Sequence, residues 1–258
     1  GSVAKYIATS TLEAGLDVKS MAETSTKVFI LEVMGRHAGW IAAASCLAAT
    51  KAGDPPHIIL LPEVPFEKTK FITQVKQTVK EQGYCVIVAS EGTQTKNGKF
   101  LADSGLTDAF GHKQLGGVAP VLAGMISKIG LKNHWAVADY LQRSARHLAS
   151  KTDLDQAYAV GEHAVKLAIA GKTALMPIIK RTSDSPYKWK IATAPLKNVA
   201  NIEKTMPKKF ISKNGFEITQ AGKTYLSPLI KGEAPIKYVN GLPDIAELKK
   251  IKVKKRLS

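Results

Sequence analysis

Hydrophobic and polar positions along this chain change period several times, and each change marks an element. Ala8, Leu12 and Leu16 recur at i+4 steps, which predicts a helix from Val3 to about Ala22, weakened by Gly15 inside it. Val28 to Val33 is then an apolar run broken by Glu32 alone, as expected of a buried strand. After Gly39 the Ala-rich stretch with Ile41, Ala44 and Ala48 at helical spacing has the composition of a packed helix. Asp54-Pro55-Pro56 punctuates the chain before His57-Ile-Ile-Leu-Leu61, a short continuous apolar run of the kind found in strands covered on both faces. Ile72, Val75 and Val79 mark an amphipathic helix, and Tyr84 to Ala89 is the next strand, ending at Ser90-Glu91-Gly92. This βαβα alternation, with right-handed crossovers, predicts an α/β fold: a doubly wound, mostly parallel sheet with flanking helices.

Residues 93–117 break the rhythm with polar and glycine-rich sequence, including Lys96-Asn-Gly98 and Gly111 to Gly117, and read as a long loop or hairpin. A helix follows from about Val118 to Ile129, with Pro120 tolerated near its start, and then a strand from His134 to Asp139 leading into Tyr140-Leu-Gln-Arg143. Thr152-Asp-Leu-Asp155 opens the strongest helical pattern, with Leu154, Tyr158, Val165 and Ile169 on an apolar face and Gly171 ending it. Ala174 to Ile179 is strand-like, but Pro177 restricts it to an edge or a bulge. The remainder alternates short apolar runs with Lys, Pro and Gly, without internal repeats.

Composition narrows the function classes. At 258 residues and 45% hydrophobic content the chain can bury a sizeable core, and no apolar run approaches the roughly 18 residues of a membrane helix, so a soluble protein without a membrane partner is expected. Cys46 and Cys85 fall inside apolar segments and read as small core residues, consistent with a reducing cytoplasm. The net charge of +16 raises nucleic acid as a partner, yet only Arg36, Arg143, Arg146, Arg181 and Arg256 are arginines, and dispersed lysines read as a solvated surface. The dense cluster Lys249 to Arg256 reads as a solvated end, and the chain lacks a recognition-helix or aromatic-interleaved pattern, so no nucleic-acid partner is expected. His37, His57, His112, His147 and His163 show no metal-ligand spacing.

The candidate chemistry sits at strand ends. Met34-Gly35-Arg36 follows the first strand and precedes a helix, where unpaired N–H groups and a fork-shaped guanidinium suit a phosphate. Glu91 ends another strand, where a carboxylate can accept hydrogen bonds from sugar hydroxyls, and Arg143 can offer a second guanidinium. From spacing alone Met34-Gly35-Arg36 is equally a routine strand-to-helix turn with a surface arginine, Glu91 reads first as an exposed strand-end carboxylate, and the plain reading of Arg143 is a helix-surface side chain. Gly116-Gly117 before a helix can cradle an anion, although a plain N-cap loop is the simpler reading.

Glu32-Val-Met-Gly-Arg-His-Ala-Gly39 resembles the fructose 6-phosphate-binding signature of the phosphofructokinases. Gly1-Ser-Val-Ala-Lys-Tyr6, Ser90-Glu-Gly92 and Tyr140-Leu-Gln-Arg143 follow in the order that family shows, and the chain as a whole is similar to the later part of a pyrophosphate-dependent member. The resemblance implies that Met34, Gly35 and Arg36 hold the sugar phosphate, that Glu91 grips the sugar, that Arg143 reaches the same phosphate, and that Tyr140 lines the pocket where some members place a histidine. Lys27 and about His134 fall where many ATP-dependent bacterial members carry arginines that reach across a subunit interface, so the resemblance implies a homo-oligomer with altered contacts; His134 is read as packed. It further implies phosphoryl transfer in glycolysis from pyrophosphate to the 1-hydroxyl, with Mg2+ in the complete enzyme. Neither a glycine-rich donor loop nor the family's catalytic aspartate motif occurs here, so no catalytic or metal-binding residue is expected in this chain and the chain alone is expected to be inactive. The expected division is a fructose 6-phosphate-binding domain over 1–143, then a helix and strands over 144–258 that return toward a first domain, with a C-terminal extension. Alternative readings are an ATP-dependent phosphofructokinase or a non-catalytic sugar-phosphate-binding module.

Overall fold

A computed structural model of the chain describes residues 1–107, 113–115 and 117–252. Its centre is a four-stranded parallel sheet built from β1 (Val28–Val33), β2 (Ile58–Leu60), β3 (Cys85–Ser90) and β6 (Asn133–Val137), in the order β2-β3-β1-β6. Between β3 and β6 the chain forms an antiparallel pair, β4 (Asp103–Thr107) and β5 (Lys113–Leu115), as the hairpin reading expected. His112, Gly116 and the last residues of the basic tail lie outside the described residues.

Helices cover both faces because the strands are apolar at both parities. Ile30 of β1 joins Ile58, Ile87, Phe71, Val75, Leu122 and Ile126 in one core. Its neighbour Leu31 points the other way, into a second core with Ile7, Ala42, Ile59 and Val88. The first face is covered by α3 (Lys68–Gln82) and α4 (Val118–Ser127), the second by α1 (Ser2–Met21) and α2 (Trp40–Ala44). The Ala-rich helix after Gly39 is short: α2 passes into a 3₁₀ turn over Ser45–Ala48. Gly15 has a packing role in α1, since a Cβ there would sit 2.4 Å from Pro55 Cγ.

Beyond Tyr140, a single turn, α5 (Leu141–Ser144), leads to α6 (Lys151–Ile169). The cap of α6 is Ser150, whose hydroxyl accepts the Asp153 N–H at 3.4 Å, two residues before the Thr152 start read from sequence. The apolar face expected for α6 is not a core face here: Tyr158 is 79% exposed, Val165 59% and Ile169 82%. Next come β7 (Leu175–Asp184) and β8 (Tyr187–Pro195), an antiparallel pair separate from the main sheet, so Pro177 does lie on an edge strand. The sequence beyond this hairpin returns to the second of these cores. Met206, Phe210, Ile218 and Leu226, the last on α7 (Gln220–Leu226), pack with Leu31, Ile59 and Val88. The Phe216 carbonyl accepts the Ile59 N–H at 2.9 Å and so occupies the outer edge of β2. The core therefore draws on residues from both sides of position 143.

Candidate functional site

Parallel strands in one sheet end on the same side, and here that brings three separate sequence segments together. Val33 of β1 is in register with Ser90 of β3, and Glu32 with Val137 of β6. Met34-Gly35-Arg36, Glu91 and Tyr140 to Arg143 therefore leave the sheet side by side, with strands roughly 4.8 Å apart. A cavity of about 100 Å³ lies among these strand ends, lined by Glu32, Met34, Glu91, Gly117, Val137 and Asp139.

The turn after β1 is held by Glu91, whose Oε1 accepts the Gly35 N–H at 3.2 Å and the Arg36 N–H at 3.3 Å. Arg36 has φ +34°, a left-handed conformation that a side chain adopts at a cost of roughly 1–2 kcal/mol. Space around the turn is closed: a Cβ on Gly92 would fall 1.3 Å from the Arg36 carbonyl oxygen, and one on Gly35 would lie 2.8 Å from both Ala38 O and Ser90 Oγ. Only glycine lets the β1 and β3 turns approach this closely. On the neighbouring strand end Asp139 is also left-handed, at φ +36°, and its carbonyl accepts from buried Gln142 at 2.8 Å. Tyr140 is 62% exposed, and the Arg143 guanidinium lies over its ring at 4.2 Å, so the exposed arginine is pre-oriented by a cation–π contact.

Sequence reasoning read Glu32 as an interruption of the strand and as the first residue of the signature, with no role of its own, and the structure gives it a defined position. It is buried, and its carboxylate accepts the Gly117 N–H at 2.9 Å and the Ala119 N–H at 2.8 Å at the start of α4. The N-terminal donors considered for an external anion thus meet an internal one. Burial raises the Glu32 carboxyl above its ordinary value against those two hydrogen bonds, and the nearby carboxylates of Glu91 and Asp139 push it further up. The signal in the sequence was a lone carboxylate inside an apolar strand, which must find partners.

Lys27 does not join this group. It precedes β1, at the amino end of the sheet, and its ammonium bonds the Ala22 carbonyl. His134 is exposed on the edge strand β6, not packed as expected. His37 bonds Glu203 through Nδ1 at 2.7 Å. Mg2+ needs several free oxygen ligands in octahedral geometry, and at the strand ends Glu32 and the Glu91 Oε1 already accept backbone N–H groups. Among the described residues no set of three His, Cys, Asp or Glu side chains converges as metal ligands, and no helix is long and apolar enough to cross a membrane.

What the arrangement offers is a small carboxylate-lined hollow suited to hydroxyl groups, with two arginines on flanking turns suited to an anion. Comparison with known proteins gives the same direction. The family model described as Phosphofructokinase matches residues 8–168. The pyrophosphate–fructose 6-phosphate 1-phosphotransferase of Halomonas elongata is 63% identical over the whole chain, and that of Xanthomonas campestris pv. campestris 57%. The chain spans 62% of the length of each. The crystal structure of a pyrophosphate-dependent phosphofructokinase from Marinobacter aquaeolei is 57% identical with a TM-score of 0.88, over 99% of this chain and 61% of that one.

Proposed function

This chain belongs to the phosphofructokinase family, and from that premise we propose that it is the fructose 6-phosphate-binding part of a pyrophosphate-dependent 6-phosphofructokinase. The complete protein would transfer a phosphoryl group from pyrophosphate to the 1-hydroxyl, a cytoplasmic step of glycolysis. One observation carries the reading: the segments that resemble the family's substrate signature, far apart in sequence, leave adjacent strands at the carboxyl end of the sheet, where Glu91 is hydrogen-bonded to the turn that bears Arg36.

The roles follow from charge and position. The cavity among the strand ends is lined by carboxylates, which accept hydrogen bonds from sugar hydroxyls and repel a phosphate. The sugar ring therefore lies toward Met34 and Glu91, and its phosphate toward Arg36 and Arg143. Guanidinium forks match phosphate oxygens two at a time. Tyr140 fixes the angle of Arg143 by the ring contact. Lys27, at the opposite end of β1, reaches a substrate only in a second subunit of an oligomer, as a point charge in place of a fork. The donor pyrophosphate and the Mg2+ that neutralises it are assigned to the part of the relatives' length that this chain does not span.

Calorimetric titration of the full polypeptide with fructose 6-phosphate and with fructose tests the reading. A phosphate-reading site separates the two strongly, and Arg36→Ala weakens fructose 6-phosphate binding by roughly 2–5 kcal/mol, the scale of losing one partner of a desolvated charge pair. Equal affinities for the two sugars, or an Arg36→Ala variant that binds like the parent, would remove its basis.

A further inference from the structure

A larger cavity, of about 710 Å³, lies between the tip of the β7–β8 hairpin, α7, Trp40 and the segment from Lys204 to Phe210. Both of its walls are fixed. On the hairpin side the Arg181 guanidinium lies between the rings of Tyr187 and Tyr225, at 4.7 and 4.6 Å, donates to the Tyr225 and Thr224 carbonyls at 2.6 and 3.3 Å, and pairs with Asp184 at 2.5 Å. These contacts clamp the hairpin tip to the last turn of α7. On the other side the Trp40 indole N–H donates to the Lys204 carbonyl at 2.7 Å, and the Met206 N–H to Glu63 at 2.9 Å.

The charge inside is one-sided. Asp184 is the sole carboxylate on the lining, and Arg181 already neutralises it. Lys204 and Lys209 also line the cavity, and neither has an ion-pair partner among the described residues. A second hollow of about 470 Å³ shares Asp184, Gln220 and Thr224 with the first and adds Lys223 and Lys231, likewise without acidic partners among the described residues. Four lysines without ion-pair partners among the described residues, two on each of these adjoining hollows, create a field that favours an anion, and the aromatic wall of Trp40, Phe210 and Tyr225 supplies apolar contact for a carbon skeleton.

We propose that this recess is a binding site for a small organic polyanion, phosphate- or carboxylate-bearing, separate from the strand-end site. It belongs to the hairpin, α7 and the chain between them, and it uses none of the residues assigned to fructose 6-phosphate.

The test is calorimetric titration of the full polypeptide carrying Arg36→Ala and Arg143→Ala, which silences the strand-end site, with citrate and with inorganic triphosphate as the two probes. Binding of one or both is expected, and which of them binds distinguishes a carboxylate ligand from a phosphate ligand. Adding Lys204→Ala and Lys209→Ala should weaken that binding by at least about tenfold, whereas Lys76→Ala with Lys80→Ala, the same charge change on exposed positions of α3, should leave it unaltered. Failure of both probes to bind, or equal losses in the two lysine pairs, overturns the proposal. Emission of Trp40 gives an independent readout that does not depend on activity: the probe-induced change should vanish in Trp40→Phe although Trp135 and Trp189 remain, and its persistence there counts against the site.

Discussion

Arg36 is asked to be two things at once, a phosphate ligand and the occupant of a left-handed turn that glycine would fill with less strain. Substitution separates the two demands. Arg36→Gly should raise stability toward urea by about 1 kcal/mol relative to Arg36→Ala, because both lack the guanidinium and only Gly relieves the positive φ; both should bind fructose 6-phosphate equally poorly. If the two variants unfold at the same urea concentration, the turn is not strained. Glu91 has the converse position, since it supports the turn with the oxygen that bonds Gly35 and Arg36, while its other oxygen has no hydrogen-bond partner among the described residues and can face a sugar hydroxyl. Glu32 acts entirely within the protein. Glu32→Ala orphans the Gly117 and Ala119 N–H groups, one of them buried, and should cost roughly 1–3 kcal/mol in denaturant unfolding.

At the scale of elements, His57 ties β2 to β3. Its ring Nδ1 accepts the Val86 N–H at 2.9 Å, and Nε2 faces the Gly53 carbonyl at 3.2 Å, so the neutral tautomer with the proton on Nε2 satisfies both. Protonating Nδ1 would set a donor against a donor, and burial lowers the ring's affinity for that proton below its ordinary 6.5. The unfolded chain therefore takes up the proton first as pH falls. The contribution of His57 is complete above 6.5 and is lost as pH drops from there through the lower folded value. The urea midpoint should fall between about pH 7.5 and about pH 5.5, and His57→Gln should flatten that fall; parallel curves would assign the dependence elsewhere. The elements were read unevenly from sequence. Continuous apolar runs exposed β1, β2 and β3 because both faces of each strand are covered. Tyr187 to Pro195 does alternate, but lysines and small residues dilute a half-exposed strand, and β8 went unread. The strand-end residues could be named from the family resemblance, whereas the contacts that brace them could not, because the Gly35 and Arg36 N–H groups that bond Glu91 are backbone groups that leave no mark on residue identity.

At the scale of the molecule, one run of exposed apolar side chains follows regular elements, α6 and the hairpin after it. Tyr158, Val165 and Ile169 of α6 stand 59–82% exposed at helical spacing, and Met176 and Ile179 of β7, Leu196 and Ile202 are each exposed by 39% or more, while the two main cores are closed. Such a surface is larger than scattered single side chains explain, and β7 with β8 forms a separate two-stranded sheet. The natural covering is further protein of the same polypeptide, since the chain spans 62% of the relatives' length. The 258-residue chain on its own should therefore bind a hydrophobic dye or self-associate, and it should show no phosphotransferase activity. Charging the face tests the origin of that behaviour: Val165→Lys with Ile169→Lys should reduce dye binding and shift the isolated chain toward monomer in sedimentation, because both positions are solvent-exposed and their replacement leaves the cores intact. In the full polypeptide the same pair should be destabilising by roughly 3 kcal/mol or more, since two charges would then be buried without partners. A dye-silent, monodisperse isolated chain, or a full polypeptide indifferent to the two lysines, would mean that the α6 face is a solvated surface and not a seam.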